Sequence, residues 1–222
     1  MHGSTPIRVD AAVCFKYLVE LSKPDAMKKE LIKICGALIR VVNDKFPPEL
    51  KLEIFKALQI MMTKFGVLIK AMLPQLQTTF LKAFNDPQAN LAVRNTIVEN
   101  LLMLVKLSPK SDAIVKELAA SLDGEKVERE SKTQVSQVLA YICRDRGEKV
   151  AANVAQGVLQ TLDDLIQNNL FADNLNDRTK ANVAAAYAFF AAHHKPKEEW
   201  EQLFGQFDED SVITGTSIKV AM

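Results

Sequence analysis

The stretch PPELKLEIFKALQIMMTKFGVLIKAMLPQLQTTFLKAFNDP, residues 47–87, decides the fold class of this chain. Its apolar residues recur three and four positions apart, which is the spacing of one face of an α-helix. The double proline at 47–48 predicts the start of a helix, since proline is tolerated in a first helical turn. Gly66 predicts its end in a left-handed cap conformation. A second helix is predicted from near Pro74 to the turn at 85–87, so the stretch contains two successive helices.

Helical spacing continues on both sides of this stretch. No segment alternates apolar and polar residues between glycine-rich turns, as a strand would. The further segments with helical spacing are 9–21, 31–42, 93–105, 114–122, 135–142, 154–166, 183–190 and 200–207.

These helices repeat at a fixed period. If they are taken as pairs, the second helices of successive pairs begin near Pro74, Ser111, Val150 and Pro196. That spacing of about forty residues is the period of HEAT and armadillo repeats. A single pair cannot bury its own apolar stripe, so neighbouring pairs stack to complete the core. The sequence therefore predicts an all-α fold, a HEAT-type solenoid of about ten helices in four to five antiparallel pairs.

The predicted organisation is a single HEAT array over residues 5–222. Residues 1–4 read as a remnant of recombinant expression. The apolar end at 218–222 lacks a polar capping helix, which solenoids need for solubility. We therefore expect the array to be a fragment of a longer solenoid.

Charge gives no indication of a nucleic-acid binder. Lys and Arg total 28 and Asp and Glu total 27, for a net charge of +1, whereas DNA-binding domains carry a basic excess. We expect no specific DNA binding. Locally, six lysines face only two acids between Lys45 and Lys82, and six acids stand without a base between Glu198 and Asp210. Solvated helix faces are the favoured interpretation of both runs, and binding patches are the alternative.

The cysteines and the absence of an apolar span indicate a cytoplasmic protein. Cys14, Cys35 and Cys143 are far apart and lie in apolar helical patterns, where a free cysteine behaves as a small buried hydrophobe. An odd, scattered set is typical of a reducing compartment. No apolar run is long enough to span a membrane, and no secretory signal begins the chain.

No residue pattern predicts catalysis, a metal or a cofactor. Two adjacent histidines, His193 and His194, point about 100° apart on a helix and cannot share a metal as an i, i+4 pair does. The cysteines have no C-x-x-C spacing, and the glycines form no phosphate loop. The pair Met61-Met62 suggests either an adaptable groove or core packing, and its helical spacing favours the core. We predict that the chain is not an enzyme.

One turn resembles the HEAT signature. Asp86-Pro87 is followed by Val93-Arg94, as in repeats where an aspartate-proline turn precedes a valine-arginine pair in the next helix. Arg94 therefore has two interpretations. It either forms an intramolecular pair with an aspartate, Asp86 being the candidate, or it makes a bidentate contact to a partner's acids.

Residues 28–94 carry a more specific resemblance. The segments CGALIRVVNDKFP, KFGVLIKAMLPQLQTTFLKAF and the turn ending at Arg94 are similar to the C-terminal part of the general-control-nonderepressible translational activators. LPQLQTTF, residues 73–80, is the most distinctive of them. Beyond Lys106 the resemblance is one of helical pattern alone.

This resemblance implies a function. In that family the C-terminal HEAT region binds the RWD domain of the kinase that phosphorylates the alpha subunit of initiation factor 2, and the full-length activator sits on ribosomes. The expected partners are therefore that RWD domain and, in the full-length context, the ribosome. The predicted contact residues are Arg94 and the lysines Lys64, Lys70 and Lys82, with Lys56 as a further cation that could steer an acidic partner.

Two other functions stay open. The lysines between Lys45 and Lys82 suggest a ribosome- or RNA-contacting module, which steep salt dependence would reveal. The other function is that of a helical-repeat nucleic-acid repair enzyme, and the balanced net charge argues against it.

Overall fold

The computed structural model describes residues 4–108, 110–123, 127–169 and 175–196. Within these ranges the chain forms ten α-helices, two short 3-10 helices and no strand, which confirms the predicted all-α fold. The α-helices are α1 (Thr5–Leu21), α2 (Pro24–Met27), α3 (Leu31–Asn43), α4 (Pro48–Phe65), α5 (Leu73–Phe84), α6 (Leu91–Leu107), α7 (Asp112–Asp123), α8 (Arg129–Arg146), α9 (Ala152–Asn169) and α10 (Asp177–His194). The 3-10 helices, Lys70–Met72 and Gly147–Lys149, precede α5 and α9. The helix predicted over 200–207 lies outside the described residues.

The chain divides into two compact units, Met1–Pro109 and Lys110–Met222. In the first unit, α3 with α4 and α5 with α6 form helical hairpins. The first helices of these hairpins, α3 and α5, pack side by side, while α1, α4 and α6 pack in a second row. This two-layer packing of successive hairpins is the HEAT arrangement, because each hairpin buries its apolar stripe against the next.

The second unit has the same plan. Helices α7 and α8 form one hairpin and α9 and α10 the next, with α7 against α9 and α8 against α10. A polar group joins α8 and α10 at their N-terminal ends. The side chain of Asn176 caps α10 by accepting from the Thr179 amide at 2.8 Å, and its Nδ2 donates to Thr133 Oγ1 on α8 at 2.8 Å. The prediction of one array over 5–222 stays a prediction.

The period of about forty residues is confirmed. The predicted pairing of the helices is wrong, because it is shifted by one helix along the chain. Helices α5, α7 and α9 begin at Leu73, Asp112 and Ala152, about forty residues apart as expected. They are the first helices of their hairpins, however, and not the second. Helix lengths and connections on either side of α5 are similar, so neither distinguishes the two pairings.

The core of the first unit is built on α4. Met61 and Met62 are 0% and 1% exposed, which confirms that they fill the core. The Phe55 ring packs against Phe80 of α5 with centroids 6.0 Å apart. Each such side chain contributes about 1.5–3 kcal/mol when fully buried. Asn100 of α6, also fully buried, donates from Nδ2 to the Phe55 carbonyl at 3.0 Å and so fixes α6 against α4.

Gly66 ends α4, but not in the predicted conformation. Its φ of −50° and ψ of −38° are right-handed helical values. The reason for glycine here is space, because a Cβ at this position would lie 2.6 Å from Leu107 Cδ2 and 2.7 Å from the Met62 carbonyl oxygen. The end of α4 therefore approaches the end of α6 more closely than any side chain permits.

An ion-pair cluster holds α1 on α4. Glu53 is 9% exposed, and its two carboxylate oxygens accept from Lys16 Nζ of α1 at 2.7 Å and Lys56 Nζ at 2.6 Å. Burial alone would raise the pKa of the Glu53 carboxyl, but the two ammonium groups outweigh it and hold that pKa below its ordinary value. On its other side α1 exposes Ile7, Leu18 and Leu21.

Candidate partner-binding face

Arg94 is built into the α5–α6 turn. It is 3% exposed, and its guanidinium donates from Nη1 to the Phe84 carbonyl at 2.6 Å and from Nη2 to the Ala89 carbonyl at 3.1 Å. The Phe84 carbonyl belongs to the last residue of α5, so Arg94 satisfies an acceptor left open at a helix end. Asn90 caps the start of α6 by accepting from the Val93 amide at 3.0 Å. As a partner contact Arg94 stays a prediction, and reaching its guanidinium requires this turn to open.

The ion pair that the structure shows for Asp86 is with Lys51 of α4. Lys51 Nζ lies 3.5 Å from Asp86 Oδ2, while Oδ1 accepts from the Gln88 amide at 3.0 Å. Asp86 thus shapes its own turn and links that turn to the preceding hairpin, α3–α4. Sequence reasoning missed Lys51, because the two residues are 35 positions apart and no pattern in the sequence signals their contact.

A cleft of about 340 Å³ lies where the α3–α4 turn and the α5–α6 turn meet. Its walls come from the end of α3, the start of α4, the end of α5 and the start of α6. Its lining is mainly apolar, with a few polar groups. The lining residues are Val42, Asn43, Phe46, Pro48, Lys51, Phe55, Lys82, Ala83, Asp86, Pro87, Gln88, Ala89 and Val93.

The structure separates the four predicted contact residues into two groups. Lys82 is exposed, lines the cleft and lies near Arg94 at the α5–α6 turn. Lys64 and Lys70 lie at the opposite end of α5, about 18 Å away along the helix axis. Lys64 donates to the Glu20 carbonyl of α1, and Lys70 is exposed in the 3-10 helix. No single site contains all four.

The lysines between Lys45 and Lys82 do not form one basic face. Lys51 is paired with the half-buried Asp86 and Lys56 with the buried Glu53, so carboxylates neutralise two of the six lysines. A basic stripe suited to a phosphate backbone would leave its cations free and aligned. The arrangement therefore disfavours the RNA-contacting alternative.

In the second unit the rings of His193 and His194 each form a hydrogen bond with a different backbone carbonyl. His193 Nε2 lies 3.2 Å from the Arg144 carbonyl oxygen and His194 Nε2 lies 2.7 Å from that of Gly147. The Arg144 carbonyl is in the last turn of α8, and that of Gly147 opens the 3-10 helix after it, where it also accepts from the Val150 amide at 3.1 Å. Among the described residues, no three His, Cys, Asp or Glu side chains are grouped as a metal site.

The cysteine prediction is right for two residues and wrong for one. Cys35 and Cys143 are buried, and burial raises the pKa of the Cys35 thiol to about 11 and that of Cys143 further. Cys14 is exposed on α1, because the apolar pattern of α1 is wider than the face that packs on α4. No helix in the described part of the chain is both long and apolar enough to cross a membrane.

Comparison with known proteins matches most of this chain to short parts of three long relatives. The stalled ribosome sensor GCN1 of Homo sapiens is 30% identical over 162 residues, which is 72% of this chain and 6% of that protein. Protein ILITYHIA of Arabidopsis thaliana is 29% identical over 166 residues, 75% of the chain and 6% of the relative. The eIF-2-alpha kinase activator GCN1 of Saccharomyces cerevisiae is 26% identical over 188 residues, 85% of the chain and 7% of the relative. No family model matches the chain. No solved structure matches it either.

These matches extend the predicted resemblance. A match of 162 residues cannot fit before Lys106, so the similarity continues past the point where motifs alone could follow it. The chain spans only 6% to 7% of the length of these relatives. Over most of its own length, this chain is thus homologous to one HEAT-repeat segment of the GCN1 proteins.

Proposed function

We propose that this chain is a non-enzymatic adaptor that binds the RWD domain of the initiation factor 2 alpha kinase and promotes its activation during amino-acid starvation. The observation that carries the proposal is its similarity to proteins named eIF-2-alpha kinase activator and stalled ribosome sensor. In the full-length protein the same array would lie on the ribosome, in the cytoplasm. Tethering raises the effective concentration of the kinase near the ribosome without performing chemistry.

The hairpin turns of the first unit support such a role. They present a preformed cleft and the exposed ammonium group of Lys82, and the contacts of Arg94 hold the turn beside it. A partner that meets a rigid surface loses less conformational entropy than one that must order a loop. We therefore place Lys82 as a contact and Arg94 as a residue that positions the turn, with Lys64 and Lys70 as contacts at the far end of α5.

The test is a titration of the whole chain with the purified RWD domain, followed by calorimetry. We expect saturable one-to-one binding that Arg94→Glu weakens, with circular dichroism reporting whether that variant keeps its helices. A matched charge reversal, Lys116→Glu, changes an exposed lysine of α7 in the second unit, outside the unit that carries the proposed contacts, and should bind as the wild type does. Absence of binding by the wild-type chain would refute the proposal.

A parallel titration with single-stranded RNA addresses the alternative. RNA binding whose affinity falls steeply with salt, together with no RWD binding, would favour the ribosome- or RNA-contacting module.

A further inference from the structure

The cleft between the α3–α4 and α5–α6 turns has the composition of a docking pocket. Its floor is closed by Val42, Phe55, Ala89 and Val93, which are between 0% and 8% exposed. Water over this apolar floor has few polar partners, so an apolar group that displaces it gains free energy. A volume of about 340 Å³ is at the lower end of the range for ligand pockets. That size suits one or two large side chains.

The charge at the rim of the cleft determines which charged group can lie beside a bound apolar group. Asp86 is the one carboxylate in the lining, and Lys51 already pairs with it. Lys82 makes no hydrogen bond or ion pair with any residue that the structure describes, so its ammonium group is available. A carboxylate beside the bound apolar group would pair with Lys82, whereas an ammonium or guanidinium group would be repelled.

Two further cations strengthen this preference. The Arg94 guanidinium lies beneath the α5–α6 turn, and that of Arg8 lies 5.4 Å from the ring of Phe46, a lining residue. Both guanidinium groups lie behind the cleft and not at its rim. They leave the contact with Lys82 open, and they add to the positive potential that an approaching carboxylate meets.

The walls of the cleft are fixed before a partner arrives. Arg94 joins the end of α5 to Ala89, and the Gln88 amide closes the turn on Asp86. The Lys51–Asp86 pair connects that turn to α4. The cleft therefore needs little reorganisation to accept a side chain, which favours affinity.

We infer that this cleft is where the partner docks, receiving a large apolar side chain whose neighbouring residue supplies a carboxylate to Lys82. The inference rests on the proposed function, so the partner is the RWD domain and the docking element is an apolar residue next to an acid on its surface.

Two substitutions test the two halves of this contact. Ala83→Trp fills the cleft without removing a polar contact, and Lys82→Glu reverses the exposed charge at its rim. We expect each to weaken RWD binding by about tenfold or more, the loss of one well-placed anchor or charge pair. Ala120→Trp and Lys116→Glu, both at exposed positions of α7 in the second unit, are the matched controls and should stay within about twofold of the wild type.

The outcomes separate the inference from the proposal beneath it. If the wild-type chain binds and both cleft variants bind equally well, the cleft is not the docking site, although the adaptor function stands. If only Ala83→Trp weakens binding, the carboxylate half is wrong. If the wild-type chain does not bind the RWD domain, both the docking inference and the proposed function are refuted. Lys82→Glu changes an exposed side chain, so it remains informative if Ala83→Trp unfolds the unit, which circular dichroism would show. Rescue of Lys82→Glu by an acid-to-lysine change on the RWD domain would identify the partner residue.

Discussion

Arg94 illustrates what a single residue reveals in sequence and in structure. Its place beside a turn at the start of a helix follows from the Asp86-Pro87 signal, and the structure puts it there. Its acceptors could not be predicted, because the Phe84 and Ala89 carbonyls belong to the backbone and carry no residue identity. A sequence pattern can therefore find a position of this kind, but only the folded turn determines what the side chain binds.

Replacing Arg94 should destabilise the first unit. Arg94→Ala removes two hydrogen bonds from a charged donor and leaves buried carbonyls unsatisfied, so we expect a loss of about 2–4 kcal/mol in the free energy of unfolding. Arg94→Lys should restore only part of it, since one ammonium group cannot reproduce the planar fork. Urea denaturation measures both. Lys82→Ala, an exposed lysine on the same turn, should change stability by less than about 0.5 kcal/mol. Equal effects of Arg94→Ala and Lys82→Ala would contradict the assigned role.

Glu53 makes stability depend on pH. Its folded-state pKa is lowered, so its contribution is present above the pKa of the unfolded chain and is lost as pH falls through the folded value. At about pH 7 we expect the wild type to exceed Glu53→Gln by about 1–3 kcal/mol, less than for a fully buried pair because Lys56 is partly exposed. Denaturation of both proteins between about pH 7 and pH 3 checks this. A difference that does not shrink on acidification would show that the ion pairs add nothing.

Helix boundaries were the most predictable feature of the elements. Proline at the start of α4, the turn after α5 and the serine after α6 set ends that agree with the structure to within a few residues. The four-residue helix α2 was missed because it is too short to show a period. For Gly66 the predicted end was correct and the predicted reason was wrong, since the close approach of Leu107 involves a residue 41 positions away.

Two glycine substitutions should have opposite effects. A Cβ at Gly36, inside α3, would meet no atom within 4 Å, so Gly36→Ala should stabilise by about 0.5–1 kcal/mol through helix propensity alone. At Gly66 the same change forces Leu107 and the end of α4 apart, and overpacking of this kind costs about 1–3 kcal/mol. Thermal unfolding of the two variants tests the difference. A stabilising Gly66→Ala would mean that α4 and α6 can separate freely.

At the scale of the whole molecule, the period was predictable and the contacts were not. Repetition every forty residues can be read from turns and apolar stripes, because each repeat must bury a face of the same kind. Which helix of a hairpin comes first depends on the packing of α3 with α5 and of α4 with α6. The cleft depends on these same long-range contacts. The sequence therefore indicated Lys82 as a candidate but gave no sign of the pocket beside it.

Binding of an acidic partner should depend on salt, even though the net charge is only +1. The cations near the cleft act locally, so raising the ionic strength from about 0.05 M to 0.5 M should slow association of the RWD domain more than it speeds dissociation. Lys82→Glu should flatten this dependence and Lys116→Glu should not. Stopped-flow mixing resolves the two rates. If the association rate does not change with salt, electrostatic steering plays no part in binding.

The exposed sulfur of Cys14 has a practical consequence. Because Cys35 and Cys143 are buried with raised pKa values, a maleimide dye added to the native protein should attach at Cys14 far faster than at the other two. The unaltered chain thus carries its own labelling position on α1, a helix that contributes no cleft-lining residue. Energy transfer from a dye there to one on the RWD domain could report encounters without engineering a new thiol.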